Sequence, residues 1–214
     1  MAEGEDLLAA ADAAGWTPIE RLTAVGSGLD GDEVVPELLA AASELGSGTR
    51  AMAVYETKWV PAAAGPVCVY LHGVRDPGNV GTVLRSAEAF GAACVALGPG
   101  SADPFGPKAV RASMGAIFNV PVARVLDFGA TPGTKIALDA RAADVLSTSM
   151  GLMDPPTSEE PLTIVVGAER DGLPQQVLKA CDHTARIPIA THSLNAAMAA
   201  TVALYELARR ITAP

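Results

Sequence analysis

Largely apolar runs and segments with helical spacing alternate along most of the chain. PVCVYL (66–71), ACVAL (93–97), KIALDA (135–140) and LTIVVG (162–167) are compact strand candidates, and ARIPI (185–189) is a shorter one. Strands buried on both faces read as continuous apolar sequence, whereas a half-exposed strand alternates. Helical patterns fall between them, at Val80–Phe90 and Pro107–Ala116. A last helix is expected to begin near Ser193 or Leu194 and end near Arg210. Along it Leu194, Met198, Val202 and Tyr205 recur every three or four residues, while Ala196, Ala197, Ala199, Ala200 and Ala203 keep it narrow. That pattern suits close packing on a sheet, or alternatively a subunit interface. Residues 61–214 therefore predict an α/β domain with a mostly parallel sheet covered on both faces.

The front of the chain reads differently. EDLLAAADAAG (5–15) predicts a short helix with a glycine stop, and Pro36–Leu45 another, its proline suited to the first turn. The turn-rich GSGLDGDE lies between them, and AMAVYE (51–56) resembles a strand. Large apolar residues are few, so residues 1–60 look like a small, partial α/β domain. WVPAAAGP (59–66) then reads as a linker.

Composition narrows the class. With 214 residues, half of them apolar, the chain can bury a core, and no run approaches membrane-spanning length. The acidic start MAEGEDLLAAADAAG lacks the basic opening of a signal peptide. Cys68, Cys94 and Cys181 are far apart and form no metal-spaced pair; they read as reduced, mostly buried thiols of a cytoplasmic protein. The net charge of −9 argues against a nucleic-acid partner until its distribution is considered. Residues 1–60 carry eleven acids against three bases, and residues 61–214 carry thirteen against twelve. A local basic patch behind the acidic front is thus compatible with the total, although nonspecific capture of phosphate would be weak.

Four segments carry candidate chemistry. LHGVRDPGNVGTVLRSAEAFG (71–91) sets Asp76, Pro77, Gly78, Asn79 and Gly81 after a strand and ahead of Arg85. A turn of this kind lets backbone approach a ligand and favours an anion at the helix start. Arg85 either faces that ligand or solubilises the helix. In VVGAERDGLP (165–174) a strand runs into Gly167 and Glu169, where ligand-contacting loops of parallel sheets gather. Glu169 accepts from a ribose hydroxyl, holds another loop through its backbone amides, or simply faces water. In IPIATHSLNAAMAATVALYE (187–206) Ser193 is placed to cap the last helix, and Asn195 to orient a partner or substrate. His192 beside Ser193 raises a hydrolase, but no Gly-x-Ser-x-Gly elbow accompanies it. DPFGPKAVRASMGAIFNVPV (103–122) adds Lys108 and Arg111, which with Arg75 and Arg85 form either an RNA-facing positive surface or dispersed surface charges.

In order and separation these segments resemble the SpoU/TrmH family of RNA ribose methyltransferases, in the knotted SPOUT superfamily, over roughly residues 66–210. DPGNVGTVLRSAEAFG resembles the first motif, PKAVRASMGAIFNVP a connecting signature, VVGAERDGLP the second motif and the segment around SLN the third. The resemblance implies a C-terminal trefoil knot, S-adenosylmethionine as cofactor, a tRNA or rRNA substrate and a homodimer through the C-terminal domain. It implies that Gly167, Glu169, Ile187, Ser193 and Leu194 bind the cofactor, and that Arg85 faces the ribose while Asn79, Glu169, Ser193 and Asn195 order the site. Residues before 60 resemble the rear part of the family's RNA-recognition domain without its basic opening. Ala190, Thr191 and His192 replace a glycine-containing approach, which implies an altered pocket lip.

Methyl transfer to a ribose 2′-hydroxyl needs alignment and handling of one proton, but no metal. The resemblance makes Arg85 the leading participant in proton removal. Arginine side chains hold their proton beyond pH 12, so a cation stabilising the developing alkoxide stands beside literal base catalysis. The competing expectation is an RNA-binding or assembly protein that keeps the cofactor fold with little catalysis, and a Ser193-dependent hydrolase is a third.

Overall fold

A computed structural model describes residues 1–43, 48–148, 156–191 and 193–211. The front segment begins with strand β1 (Ala2–Glu3) and helix α1 (Glu5–Ala13), and Gly15, at φ 72°, lies just past the helix end. Strands β2 (Glu20–Ala24) and β3 (Asp32–Val34) follow, then helix α2 (Pro36–Ala42) and strand β4 (Ala51–Val54). The four strands form one small sheet in the order β1-β4-β2-β3. Strand β2 occupies a segment without a clear apolar pattern, and the expected helix at Pro36–Leu45 ends earlier, at Ala42. Leu45 lies outside the described residues.

Seven parallel strands make the second sheet. They are β5 (Trp59–Val60), β6 (Val67–His72), β7 (Cys94–Leu97), β8 (Val122–Arg124), β9 (Thr134–Leu138), β10 (Leu162–Gly167) and β11 (His183–Ala185), in the spatial order β11-β9-β10-β6-β7-β8-β5. The runs at 66–71, 93–97 and 162–167 form the centre, where both faces are covered. Two expectations are corrected at the edges. Trp59–Val60 is not linker but an edge strand paired with Val122 and Ala123. ARIPI is not a strand as a unit: β11 ends at Ala185, and Pro188 lacks the N–H a longer ladder would use.

Helices α3 (Pro77–Ala89), α4 (Pro107–Ser113), α5 (Gln175–Lys179) and α6 (Ala196–Ile211) complete the fold. Asp76 caps α3 by accepting from the Gly78 amide at 3.1 Å, and Pro77 fills its first position. Asn79 and Gly81 therefore lie within the helix rather than in the turn before it. A Cβ on Gly81 would stand 2.3 Å from the Ala109 carbonyl oxygen, so this glycine serves the close approach of α3 and α4 rather than a ligand. On α6 alanines and two leucines do the packing: Ala196, Ala197, Ala200, Ala203, Leu204 and Leu207 are buried. Met198 (61% exposed) and Tyr205 (52%) face outward, so of the two readings of that spacing, close packing on the sheet does not hold for these two residues.

One apolar core runs through both parts of the chain. Leu7, Leu8 and Ala11 of α1 share it with Ile117 and Phe118 from the 3-10 turn Ala116–Phe118. Trp16 stacks edge-on with Tyr55 and Phe118, and its indole N–H donates to the Phe118 carbonyl at 2.8 Å. Among the described residues no helix is long and apolar enough to cross a membrane.

Candidate active site

Parallel pairing brings the carboxyl ends of β6, β9, β10 and β11 to one side of the sheet, where ligands of open α/β folds bind. Among the described residues, two cavities open there. The larger, about 320 Å³, lies beyond β9, β10 and β11. The smaller, about 140 Å³, is walled by Gly73–Asp76 and Asn79. Residues Ala168–Asp171 line both.

That partition is a tight reversal. The Gly172 amide donates to the Ala168 carbonyl at 2.9 Å, and Gly172 sits at φ 65°, a conformation costly for other residues. The reversal folds back on β10 so closely that a Cβ on Gly167 would stand 2.5 Å from the Gly172 carbonyl carbon. Both glycines are thus needed to hold Glu169 on the rim between the cavities.

Glu169 meets the other two motifs there. Asn79 donates its amide to Glu169 Oε1. Asn195 donates to the same oxygen at 2.8 Å and to Asn79 Oδ1 at 3.0 Å. Meanwhile Asn195 Oδ1 accepts from the amides of Ala197 (2.9 Å) and Met198 (3.3 Å), so Asn195 and not Ser193 caps α6. Glu169 neither holds a backbone loop nor only faces water; it anchors two carboxamides. Asn79 is buried, while Glu169 and Asn195 are exposed on their outer sides.

The expected cofactor residues Gly167, Glu169, Ile187, Ser193 and Leu194 all line the larger cavity. Leu138, Val166, Ile187, Ile189 and Leu194 supply apolar wall. Among the described residues the backbone amides of Ile187, Ile189 and Leu194 donate to no protein acceptor. Apolar walls with a few unpaired backbone donors suit a nucleoside, and the volume is in the range of small-molecule sites. His192 lies outside the described residues.

The cations are more scattered. Arg75 borders the smaller cavity. Lys108 is paired with Asp76 at 2.6 Å, and its ammonium and the Gly78 amide hold the Asp76 carboxyl below its usual range. Arg111 borders a small hollow against Glu3 and Leu7. Arg85 is exposed on α3, lines neither cavity, and its side chain has no partner among the described residues. Asp139, Arg141, Arg170 and Asp171 line the larger cavity and were not singled out from the sequence. The strand expected over 135–140 ends, as β9, at Leu138, so Asp139 already lies in the loop that lines the larger cavity. Among the described residues no group of three His, Cys, Asp or Glu side chains is placed to hold a metal.

A parallel sheet with a nucleoside-sized cavity at its carboxyl edge and a carboxamide–carboxylate cluster on the rim fits the class of α/β proteins that bind a nucleoside-type ligand at strand ends. The chain belongs to the SpoU rRNA methylase family, whose profile matches residues 66–205. It superposes with a TM-score of 0.81 on the SpoU methyltransferase AviRb from Streptomyces viridochromogenes in complex with AdoMet. The two are 26% identical, over 99% of this chain and 90% of that one. An AdoMet-bound rRNA methyltransferase from Sinorhizobium meliloti gives 0.81 at 28% identity, over 99% and 87%. The fold is thus the family's trefoil-knotted α/β class, as expected. A 23S rRNA (guanosine(2553)-2′-O)-methyltransferase from Bacillus subtilis is 34% identical over 64% of this chain and 56% of its own. Against curated relatives from Synechocystis and Archaeoglobus fulgidus the chain spans 39% and 66% of their length.

Proposed function

We propose that this protein is an S-adenosylmethionine-dependent RNA methyltransferase acting on a ribose 2′-hydroxyl of tRNA or rRNA. The observation that carries the reading is the joining of Asn79, Glu169 and Asn195, one from each motif, on the wall between two cavities. The larger cavity suits the cofactor, through Gly167, Glu169, Ile187, Ser193 and Leu194, and the smaller suits the target nucleotide. S-adenosylmethionine, when bound, supplies a methyl group made electrophilic by its sulfonium. The chain's own work is then alignment, with Asn79 and Asn195 holding the Glu169 carboxylate on the partition. Arg85, exposed and without a described partner, stabilises the 2′-oxygen as it loses its proton to a phosphate or water. Arg75 and Lys108 contact the RNA backbone near the smaller cavity, and Arg111 contacts it nearer the front segment.

Residues 1–60 act as a partial RNA-recognition module, and 61–214 as the methyltransferase domain. The outward Met198 and Tyr205 on α6 favour a homodimer through the C-terminal domain, which a monomer mass by light scattering at micromolar concentration would exclude. A cytoplasmic location follows from the substrate class and is checked by fractionation.

The test is labelled-methyl transfer to tRNA and rRNA, with mass-spectrometric mapping of the modified ribose. Transfer is expected from the wild type, and Arg85→Ala is expected to lose it nearly completely while still binding S-adenosylhomocysteine. Wild-type turnover by that variant would remove Arg85 from its role. The acidic front, eleven acids against three bases in residues 1–60, favours a second reading as an RNA-binding or assembly protein. RNA binding without methyl transfer by the wild type would establish it.

A further inference from the structure

We infer that Asp139 and Arg141 clamp the zwitterionic amino-acid end of the cofactor, Arg141 taking its carboxylate and Asp139 its ammonium group. This rests on the cofactor reading above and adds what orients the ligand's charged end. Both residues line the larger cavity just past the end of β9. The Arg141 amide donates to Asp139 Oδ1 at 2.9 Å; its Nε donates to the same oxygen at 3.1 Å, and an Nη to Oδ2 at 3.2 Å. The carboxylate is largely sheltered (18% exposed) and the guanidinium open (73%).

Burial pushes the Asp139 carboxyl up, but the guanidinium and amide of Arg141 outweigh it and keep the group below its usual range. The pair is therefore charged at neutral pH and presents both signs on one wall. A guanidinium carries five N–H donors, of which two are engaged by Asp139, leaving three for a carboxylate. A zwitterion is the ligand that answers both poles without adding net charge. The other charges on this cavity have different surroundings. Glu169 is held by Asn79 and Asn195, while Arg170 and Asp171 lie on the reversal shared with the smaller cavity. Leu138, Ile187 and Leu194 suit a base, not a charged end.

The experiment is calorimetric titration of the full chain with three nucleosides. They are S-adenosylhomocysteine, its analogue lacking only the carboxylate, and 5′-methylthioadenosine, which lacks the whole amino-acid group. The wild type is expected to prefer S-adenosylhomocysteine over the decarboxylated analogue by roughly tenfold or more, the range of a charge-assisted pair. Arg141→Ala should erase that preference and leave 5′-methylthioadenosine affinity unchanged; Asp139→Asn should weaken S-adenosylhomocysteine and the decarboxylated analogue, which both carry the ammonium group, and spare 5′-methylthioadenosine. Arg170→Ala should keep the preference. The clamp is overturned if Arg141→Ala retains the preference, if it weakens all three nucleosides alike, or if Arg170→Ala erases it. Failure of the wild type to bind any of the three would instead overturn the cofactor reading itself.

Discussion

Asn195 uses both ends of one amide. Its oxygen caps α6, which forces its nitrogen toward Asn79 and Glu169. Asn195→Asp should keep the cap, since aspartate is an equally good one, but set a second carboxylate against Glu169. We expect at least a tenfold fall in methyl transfer with little change in melting temperature; normal transfer would end its positioning role. Asn195→Ala should also cost about 1 kcal/mol of stability in denaturant titration. A second residue-scale prediction concerns His72, at the end of β6. The Tyr70 hydroxyl, pushed up to about 12 by burial, stays protonated and lies 3.1 Å from His72 Nδ1. Burial also lowers the His72 pKa, so on acidification the unfolded chain takes up this proton before the folded one. This group's contribution to stability should therefore decline as pH falls through about 6.5 toward the lower folded value. An NMR titration of the ring with a midpoint above 6.5 would contradict this.

At the scale of elements, small residues set the spacing. Gly81→Ala would press a methyl group against the Ala109 carbonyl and the Ala112 side chain. Overpacking of this kind costs about 1–3 kcal/mol, read as a lower denaturation midpoint with an unchanged slope. Wild-type stability would mean that α3 and α4 separate freely. The central strands β6, β7 and β10 were legible because burial on both faces demands continuous apolar sequence. The short strands β5 and β8 were not, because two or three residues are too few to show a period. The expected strand 135–140 overruns the carboxyl end of β9 by two residues, which places Asp139 in a strand and not in the loop that lines the cavity.

For the whole molecule, the front segment is bound to the seven-stranded sheet by a shared core and not by a free linker. The Trp16 side chain closes that junction against Tyr55 and Phe118. Its half-buried position puts Trp16→Ala somewhat below the 3–5 kcal/mol of a fully buried Trp, at about 2–3 kcal/mol. Hydrogen exchange should then rise in residues 1–56 more than in β6 and β10; uniform protection in the variant would argue against the coupling. The charge asymmetry read from the sequence also acts at this scale. Lys108 is tied to Asp76, and Arg111 borders a hollow that Glu3 also lines, so two of the four cations have acidic neighbours.

The sequence by itself determined the class of fold, the motifs that carry family membership and the residue types of the candidate site. Each rests on local information: apolar periodicity, Gly and Pro punctuation, and polar residues placed just after strands. Tertiary structure alone decided which of these residues meet. Asn79 and Asn195 are 116 positions apart and share a hydrogen bond. Gly81 proved to serve helix packing, Asn195 displaced Ser193 as the cap, and α6 turned Met198 and Tyr205 outward while burying Leu204 and Leu207. Such outcomes depend on which strand ends the sheet brings together and how closely helices approach. Contacts between distant segments are set by that three-dimensional closure, and no local pattern encodes them.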